Sequence, residues 1–404
     1  MSLPNLLLVT PSLPSLTGTG TMLRSAMSLE ALRTHFQVHV MNLNLWSTKF
    51  GKLSLVHNRA ASYIEVPGGG RDVDGGVLLD NFFPGVRFRA IHTYRLAMAR
   101  LVVGMLPRIK APLPYLVLDL DDDECELSSH LSSLLEDSND LEAANQLRAA
   151  QPQLRMLQKM LTHRFNAICM ASLHDCHVLA ARSPGVSVHH LPNGVRIPES
   201  LDAGRVPLRE GGAAKILFVG ALNYPPNTDG ICFFCEQVLP LIQAESPVPV
   251  SLEVVGSDPP QRVALLARNP AVTIHGNVSS VEPYYRDASL CVVPLRAGSG
   301  TRIKILEAFS LRRPVVSTRL GAEGLDVTDG DQLVLADEPE AIARACLHML
   351  DDSASRDRMV NSAYAWVRRN HSTVSVQRAI DAIYAPVLTP FAESGPPLQQ
   401  DAAR

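Results

Sequence analysis

Residues 298–307, GSGTRIKILE, gather the groups in this chain best suited to chemistry. A strand-like run, Leu290 to Leu295, leads into a loop with Gly298 and Gly300, and a helix is expected to open at about Thr301. That helix carries Arg302, Lys304 and Glu307. The amino end of a helix is the positive end of its dipole and disfavours cations. Two cations in the first turn therefore call for an anion shared with the helix end, most simply a phosphate. At 3.6 residues per turn Ile305, Leu306 and Phe309 fall on one side and face a core. Lys304 and Glu307, three apart, fall together on another. Helical side chains lean toward the amino end, so Glu307 reaches back toward a neutral polar group near the phosphate, such as a ribose diol. Cation, helix end and acceptor together suit a nucleoside diphosphate better than bare phosphate. The plain alternative is a surface helix with solvated charges and a Lys304–Glu307 ion pair worth about 0.2–0.5 kcal/mol. It leaves the glycine loop and the charge order unexplained.

The elements that must position this loop extend over 404 residues, enough for two or three domains. A formal net charge of −3 gives no broad electrostatic case for nucleic acid. No apolar run is long enough to span a membrane. MSLPNLLLVT lacks a basic n-region and a cleavage site and reads as a first strand. The seven cysteines, at 125, 169, 176, 232, 235, 291 and 346, are scattered, several within apolar runs. They fit buried thiols in a reducing compartment and a cytoplasmic location, with peripheral attachment to the inner membrane left open. Cys232-Phe-Phe-Cys235 lies in an apolar helical stretch with no second pair at zinc spacing, so core packing is expected there.

Short strand-like runs alternate with longer helix-like ones, which signals β-α units feeding parallel sheets. In the first half strands are expected at Leu6–Thr10, Phe36–Leu43, Tyr115–Asp121, Asn166–Ser172 and Ser187–Leu191, with helices near 21–34, 88–106, 141–161 and 174–182. The stretch 44–87, rich in glycine and turn residues, yields no assignment. Residues 196–213 carry proline, glycine and charge without periodicity and read as an interdomain linker. A second series follows, with strands at Ile216–Val219, Ser251–Val255, Val272–His275, Leu290–Leu295, Pro314–Thr318 and Gln332–Ala336. Its helices fall near 227–243, 260–268, 279–287, 302–311 and 338–350, followed by 355–370 and 372–385 and a loose tail after Pro386. The division expected is residues 1–195, a linker at 196–213, 214–370, and a final helix and tail at 371–404. Two doubly wound α/β domains on one linker enclose a cleft, and ligands in such sheets bind beyond the carboxyl ends of the strands.

Other residues at strand ends are candidates for that cleft. Gly18-Thr19-Gly20 follows the first strand and precedes a helix, so it is either a ligand-approaching loop or a simple turn. Asp119, Asp121, Asp122, Asp123, Glu124 and Glu126 crowd another strand end. They suit sugar hydroxyls, a general base, a divalent metal, or merely solvent. Pro192-Asn193-Gly194 reads locally as a tight turn. His92, His130, His163 and His174 are the first-domain histidines expected to be exposed, open as bases or as structural residues. Ser299, eight positions before Glu307, offers a hydroxyl to a sugar, a phosphate or the helix end. No Ser-His-Asp or Cys-His set declares itself.

Together these passages resemble the retaining, nucleotide-sugar-dependent glycosyltransferases of the group 1, or family 4, type. The resemblance is carried by KILFVGALNYPPNTDGICFF, LEVVGSDPP, VTIHGNVSSVEPYYRDASLCVVPL and GSGTRIKILEAFSLRRPVVSTRLGAEGL in the second half. In the first half LLLVTPSLPSLTGTGTMLR, ICMASLHDC and HHLPNGV carry it. It implies the GT-B fold, two Rossmann-like domains facing a central cleft. The C-terminal domain would bind the nucleotide sugar and the N-terminal domain the acceptor, with the last helix crossing back onto the first domain. Glu307 matches the second glutamate of the family's pair and would bind the ribose. Gly298, Ser299, Gly300 and Thr301 would approach the pyrophosphate and sugar, with Gly220 also on the donor side. The backbone at Asn277 and Val278 would approach the base. Gly18, Thr19, Gly20, Asp121 and Asp122 would line the acceptor side.

The chain departs from the family pattern in two places. Ser299 stands where the first glutamate is expected. The usual arginine and lysine after the first strand of the donor domain are replaced by Gly220-Ala221-Leu222-Asn223-Tyr224-Pro225-Pro226-Asn227. A branch of the family with a GxGxRxK loop shares both changes, and Arg302 and Lys304 are expected to supply the catalytic charge on the diphosphate. The expected reaction is hexosyl transfer from a nucleoside diphosphate sugar to a glycan, lipid-linked glycan or natural-product acceptor, with retention. It needs no metal and no cofactor, the nucleotide sugar being a substrate. A nucleotide-sugar epimerase and a non-catalytic binding module of the same fold are the competing classes.

Overall fold

The computed structural model describes residues 3–43, 55–66, 74–137, 139–198, 214–298 and 300–388. The linker segment 199–213, the tail from 389 and Ser299 lie outside the described residues.

The first half alternates strands and helices from its start. Its strands are β1 (Asn5–Thr10), β2 (Gln37–Asn42), β3 (Ser62–Glu65), β4 (Phe88–Tyr94), β5 (Tyr115–Asp121), β6 (Ala167–Met170) and β7 (Val188–His190). Between them lie α1 (Gly20–Leu32), α2 (Leu55–Arg59), α3 (Gly75–Phe82), α4 (Arg95–Met105), α5 (Glu124–Asp137), α6 (Leu141–Thr162) and α7 (Leu173–Arg182). The strands form a parallel sheet in the order β3-β2-β1-β4-β5-β6-β7. The chain winds outward from β1 and returns to place β4 beside it, so the β1/β4 edge is the point where the winding direction reverses.

The second half repeats the plan. Its strands are β8 (Ala214–Val219), β9 (Val250–Gly256), β10 (Val272–Gly276), β11 (Leu290–Val293), β12 (Val315–Ser317) and β13 (Val334–Leu335). Its helices are α8 (Pro225–Phe233), α9 (Leu239–Glu245), α10 (Gln261–Ala264), α11 (Glu282–Asp287), α12 (Ile303–Ser310), α13 (Pro339–Asp351), α14 (Ser353–Asn370) and α15 (Thr373–Leu388). The sheet is again parallel, in the order β10-β9-β8-β11-β12-β13, with its reversal between β8 and β11. One core fills this half, centred on Phe218, Phe234, Leu252, Val292, Leu306 and Phe309. Cys232 is buried without a disulfide, and Cys235 packs against this core.

The first sheet is buried on both faces. Leu7, Val9, Ile91, Leu118 and Ile168 pack under α3, α4, α6 and α7. On the other face Leu6, Leu8, Val40 and Val117 meet α1 and the last helix. Helix α15 thus crosses back onto the first domain. It inserts Val376, Ile380, Ile383 and Tyr384, all at most 2% exposed, beside Leu29, Leu32 and Phe36. Asp381 Oδ1 meets His35 Nε2 at 2.7 Å. The outward and return crossings of the chain are tied to each other. His371 Nδ1 donates to Asn193 O at 2.8 Å and Val195 N to His371 O at 2.8 Å.

Three expectations need correction. The helix expected over 88–106 is the strand β4 followed by α4. FRAIHTY is a central parallel strand, which reads as a continuous apolar run and merges with the apolar helix after it. No glycine separates them; the chain turns at Arg95 itself, which takes φ 64°. The acidic run does not stay in a loop, because Glu124 and Glu126 open α5, where carboxylates suit the helix dipole. Helix α12 starts at Ile303, so Arg302 is its N-cap residue rather than part of its first turn.

Candidate functional site

The loop 294–302 leaves β11, and the loop 220–224 leaves β8, its neighbour in the sheet. Both rise from the point where the second sheet reverses its winding, the place where open α/β sheets bind ligands. Gly298 (φ 120°) and Gly300 (φ 74°) adopt conformations that L side chains rarely take. A Cβ on Gly298 would lie 3.2 Å from Arg302 Nη2, so the guanidinium packs directly beneath the loop. Arg302 is 8% exposed and donates from Nη2 to Leu320 O at 3.3 Å. Burial pulls its pKa below the usual value, against the opposing pull of Tyr224, Glu323, Asp122 and Asp175. A guanidinium taken out of water in this way interacts strongly with an arriving anion.

Lys304 and Glu307 attract each other, but each also hydrogen-bonds a neutral partner. Lys304 Nζ donates to Asn227 Oδ1 at 2.7 Å and stands 4.5 Å from the centre of the Phe218 ring. Asn227, itself buried, gives its Nδ2 to Ala221 O at 2.9 Å and so pins the loop after β8. Gly220 leaves room for this arrangement, since a Cβ there would fall 2.9 Å from Lys304 Nζ. Glu307 Oε2 accepts from Tyr285 OH at 3.0 Å, and that hydroxyl also reaches Lys304 O at 3.1 Å. Burial lowers Lys304 to about 7, with Arg302 pushing the same way. Burial raises Glu307 to about 7. Each holds its side chain on a neutral partner and is short of countercharge.

The first domain closes over this loop. Asp122, just past β5, is so near Gly300 that a Cβ there would lie 2.7 Å from Asp122 Cβ. Thr301 Oγ1 donates to Ala171 O at 3.2 Å. His130, on α5, donates from Nδ1 to Gly298 O at 2.5 Å. Gly20, at the start of α1, faces Ile303, with 3.3 Å from its would-be Cβ to Cδ1. Thr19 caps α1 by its backbone position, without a side-chain bond, and Gly18 takes φ 116° over the Met22 sulfur.

Beneath these contacts lies a buried charge network at the reversal point of the first sheet. Arg24 clamps Asp119 with its Nε at 3.0 Å from Oδ2 and Nη2 at 2.8 Å from Oδ1, and gives Nη1 to Asn193 Oδ1 at 2.8 Å. That clamp holds the Asp119 pKa below the usual range although burial opposes it. Asp122 pairs with Arg95, which also donates to Leu120 O at 3.0 Å. Asp121 (φ 66°) sits between Arg24 and Arg95 at 3.6 and 3.7 Å, and burial raises its pKa. Asp123 pairs with Arg182. Among the described residues no three His, Cys, Asp or Glu side chains are grouped to hold a metal ion, and these carboxylates face arginines instead.

The structure thus brings together Gly220, Gly298, Gly300, Thr301, Arg302, Lys304 and Glu307 with Gly20 and Asp122 opposite. Asn277 and Val278 stand apart, at the carboxyl end of the edge strand β10. Asn277 (φ 56°) accepts there from Asp258 N at 3.1 Å, and Val278 packs against the core. His92 is wholly buried, with Nδ1 2.9 Å from Tyr384 OH. Sequence reading did not assign roles to Asn227, Tyr285 or Arg95. Tyr285 precedes Glu307 by a whole strand and loop, and no local spacing links the two.

Two Rossmann-like sheets facing each other across such a cleft define the GT-B fold. Solved structures share it over nearly the whole chain. Sucrose-phosphate synthase from Thermosynechococcus elongatus superposes with a TM-score of 0.68 at 15% identity, covering 95% of this chain and 99% of that one. A glycosyltransferase from Rickettsia africae gives 0.69 at 12% identity, covering 96% and 100%. HepE from Anabaena, solved with UDP and glucose, gives 0.67 at 14% identity, covering 95% and 100%. Residues 213–352 match the family described as Glycosyl transferases group 1, so the second half carries a domain of that type. An uncharacterized 44.6 kDa protein in the cps region of Klebsiella pneumoniae is 24% identical over 174 residues, which span 41% of this chain and 45% of that protein.

Proposed function

We propose that the protein transfers a sugar from a nucleoside diphosphate sugar to an acceptor, with retention at the anomeric carbon and without a metal ion. One observation carries the reading. Arg302 packs beneath Gly298 and Lys304 against Gly220, on the two neighbouring loops at the sheet's reversal point, while Tyr285 donates to Glu307 on the same helix. The second domain would take the donor: Arg302 and Lys304 at the diphosphate, Glu307 at the ribose diol. Departure of the nucleotide leaves negative charge on the β-phosphate, and these two cations with the loop N–H groups would stabilise it electrostatically. Burial lowers the Lys304 pKa, and an arriving diphosphate would hold the side chain charged. The first domain, with Asp122 beside Gly300 and Asp121 between Arg24 and Arg95, would present the acceptor. Closure would keep water from the donor.

HepE was solved with UDP and glucose, which puts UDP-hexoses first in a thermal-shift panel with GDP, dTDP and ADP sugars. Selective stabilisation by one nucleotide class is the expected outcome, through binding linkage. NMR of the product then reads the anomeric configuration. Stabilisation by none of the four classes would refute the donor assignment. A new sugar nucleotide formed from donor alone would make the protein an epimerase, and an inverted product would refute retention.

A further inference from the structure

Two residues of the glycine loop sit at positive φ without side chains, and the backbone of such residues samples many alternatives. Arg302 depends on the shape of this loop, because its guanidinium lies against the face of Gly298 where a Cβ would stand. Among the described residues, a polar contact to Gly298 comes from the other domain. His130 projects from the second turn of α5, and its Nδ1 lies 2.5 Å from the Gly298 carbonyl oxygen. A carbonyl only accepts, so Nδ1 must carry the proton. Helix α5 is itself anchored at its start. Leu96 N donates to Glu124 at 3.1 Å, Asp123 takes Arg182 at 2.6 Å, and Asp122 abuts Gly300. The histidine is therefore borne on a helix whose root touches the same loop two residues further on.

We propose that His130 is a positioning residue, a hydrogen-bond latch by which the first domain sets the glycine loop of the second and so places Arg302 for the leaving phosphate. The latch rests on the donor reading above. It acts through the loop and Arg302, and it weighs more on turnover than on nucleotide affinity, because Lys304, Asn227, Glu307 and Tyr285 all belong to the second domain and keep their contacts without it. Replacing His130 should therefore separate two quantities that a general folding defect would move together.

The test compares wild type, His130→Leu and His130→Asn. Leucine keeps bulk and removes the donor, whereas asparagine carries an N–H at the place of Nδ1. Backbone hydrogen exchange over residues 296–304, the affinity for UDP and GDP by calorimetry, and UDP or GDP release from UDP-glucose and GDP-mannose are measured in each. Expected for His130→Leu is about tenfold faster loop exchange, the equivalent of one net hydrogen bond. Nucleoside diphosphate affinity stays within about twofold and turnover falls about tenfold or more. His130→Asn restores both exchange and turnover. Unchanged loop exchange in the leucine variant overturns the latch. So does a loss of nucleotide affinity in step with turnover, or an asparagine variant as impaired as leucine. A protein that binds neither UDP nor GDP, yet shows the expected exchange pattern, keeps the latch as a loop-setting contact and loses the donor reading.

Discussion

Glu307→Gln should make this protein more stable at alkaline pH while damaging its site. Burial raises the Glu307 carboxyl from an ordinary 4.5 to about 7, with Tyr285 and Lys304 only partly offsetting it. The folded state therefore binds the Glu307 proton more tightly than the unfolded chain does. Between pH 4.5 and about 7 the folded state holds more protons, so this group's contribution to stability falls as pH rises through that window and is flat above it. At about 1.4 kcal/mol per pH unit the full cost is about 3.5 kcal/mol, and about 2 kcal/mol after allowance for partial exposure. Glutamine keeps the shape and an acceptor for Tyr285 but cannot ionise. Its melting temperature should match wild type near pH 4.5 and exceed it by roughly 4–8 °C at pH 8, at about 2–4 °C per kcal/mol for a domain of this size. In the same variant, nucleotide affinity should drop roughly 10- to 100-fold, because a charged acceptor to the ribose is worth about 1.5–3 kcal/mol. Differential scanning fluorimetry across pH and calorimetry with the nucleotide measure the two halves. A melting difference that does not grow with pH would refute the burial argument. Undiminished affinity would refute the ribose assignment.

Arg302→Ala should lower turnover by about two orders of magnitude or more, the scale seen when a transition-state donor is removed, while moving the melting temperature little. Unchanged turnover would end the leaving-group assignment. Gly300→Ala places a methyl group 2.7 Å from Asp122 Cβ at φ 74°. It should cost about 1–2 kcal/mol in backbone strain and force the domains apart, read as a larger radius of gyration in solution scattering. Tyr285→Phe leaves Glu307 without its neutral donor. It should raise the carboxyl pKa further and shift the pH dependence of donor affinity upward, and a pH profile identical to wild type would contradict the role given to that hydroxyl.

Much of this was legible in the residues. The β-α alternation exposed both sheets, and Gly298, Gly300, Arg302, Lys304 and Glu307 carried their chemistry within one short segment. The parts that escaped are long-range or locally disguised. β4 hid because a buried parallel strand and the apolar helix after it lack the glycine that usually marks the turn, Arg95 taking the left-handed backbone instead. Asn227 holds Lys304 from a different loop, 77 residues away in sequence, and its amide carries no local signal of that contact. Tyr285 and His130 reach the loop only through tertiary packing, and no spacing rule links a side chain on α5 to a carbonyl after β11.

The crossing of α15 also bears on how the chain comes to be folded. The face of the first sheet that carries Leu6, Leu8 and Val117 is completed by Val376, Ile380, Ile383 and Tyr384. These lie at the opposite end of the sequence. A chain emerging from the ribosome makes its first seven strands long before the helix that seals them, and then must build the whole second domain. Until α15 arrives, an apolar strip beside α1 stays wet, and contacts of such sequence separation form slowly. The first domain is in this sense a template waiting for its last piece. Its exposed strip marks the stage of biogenesis at which the nascent protein is most open to aggregation or to chaperone capture.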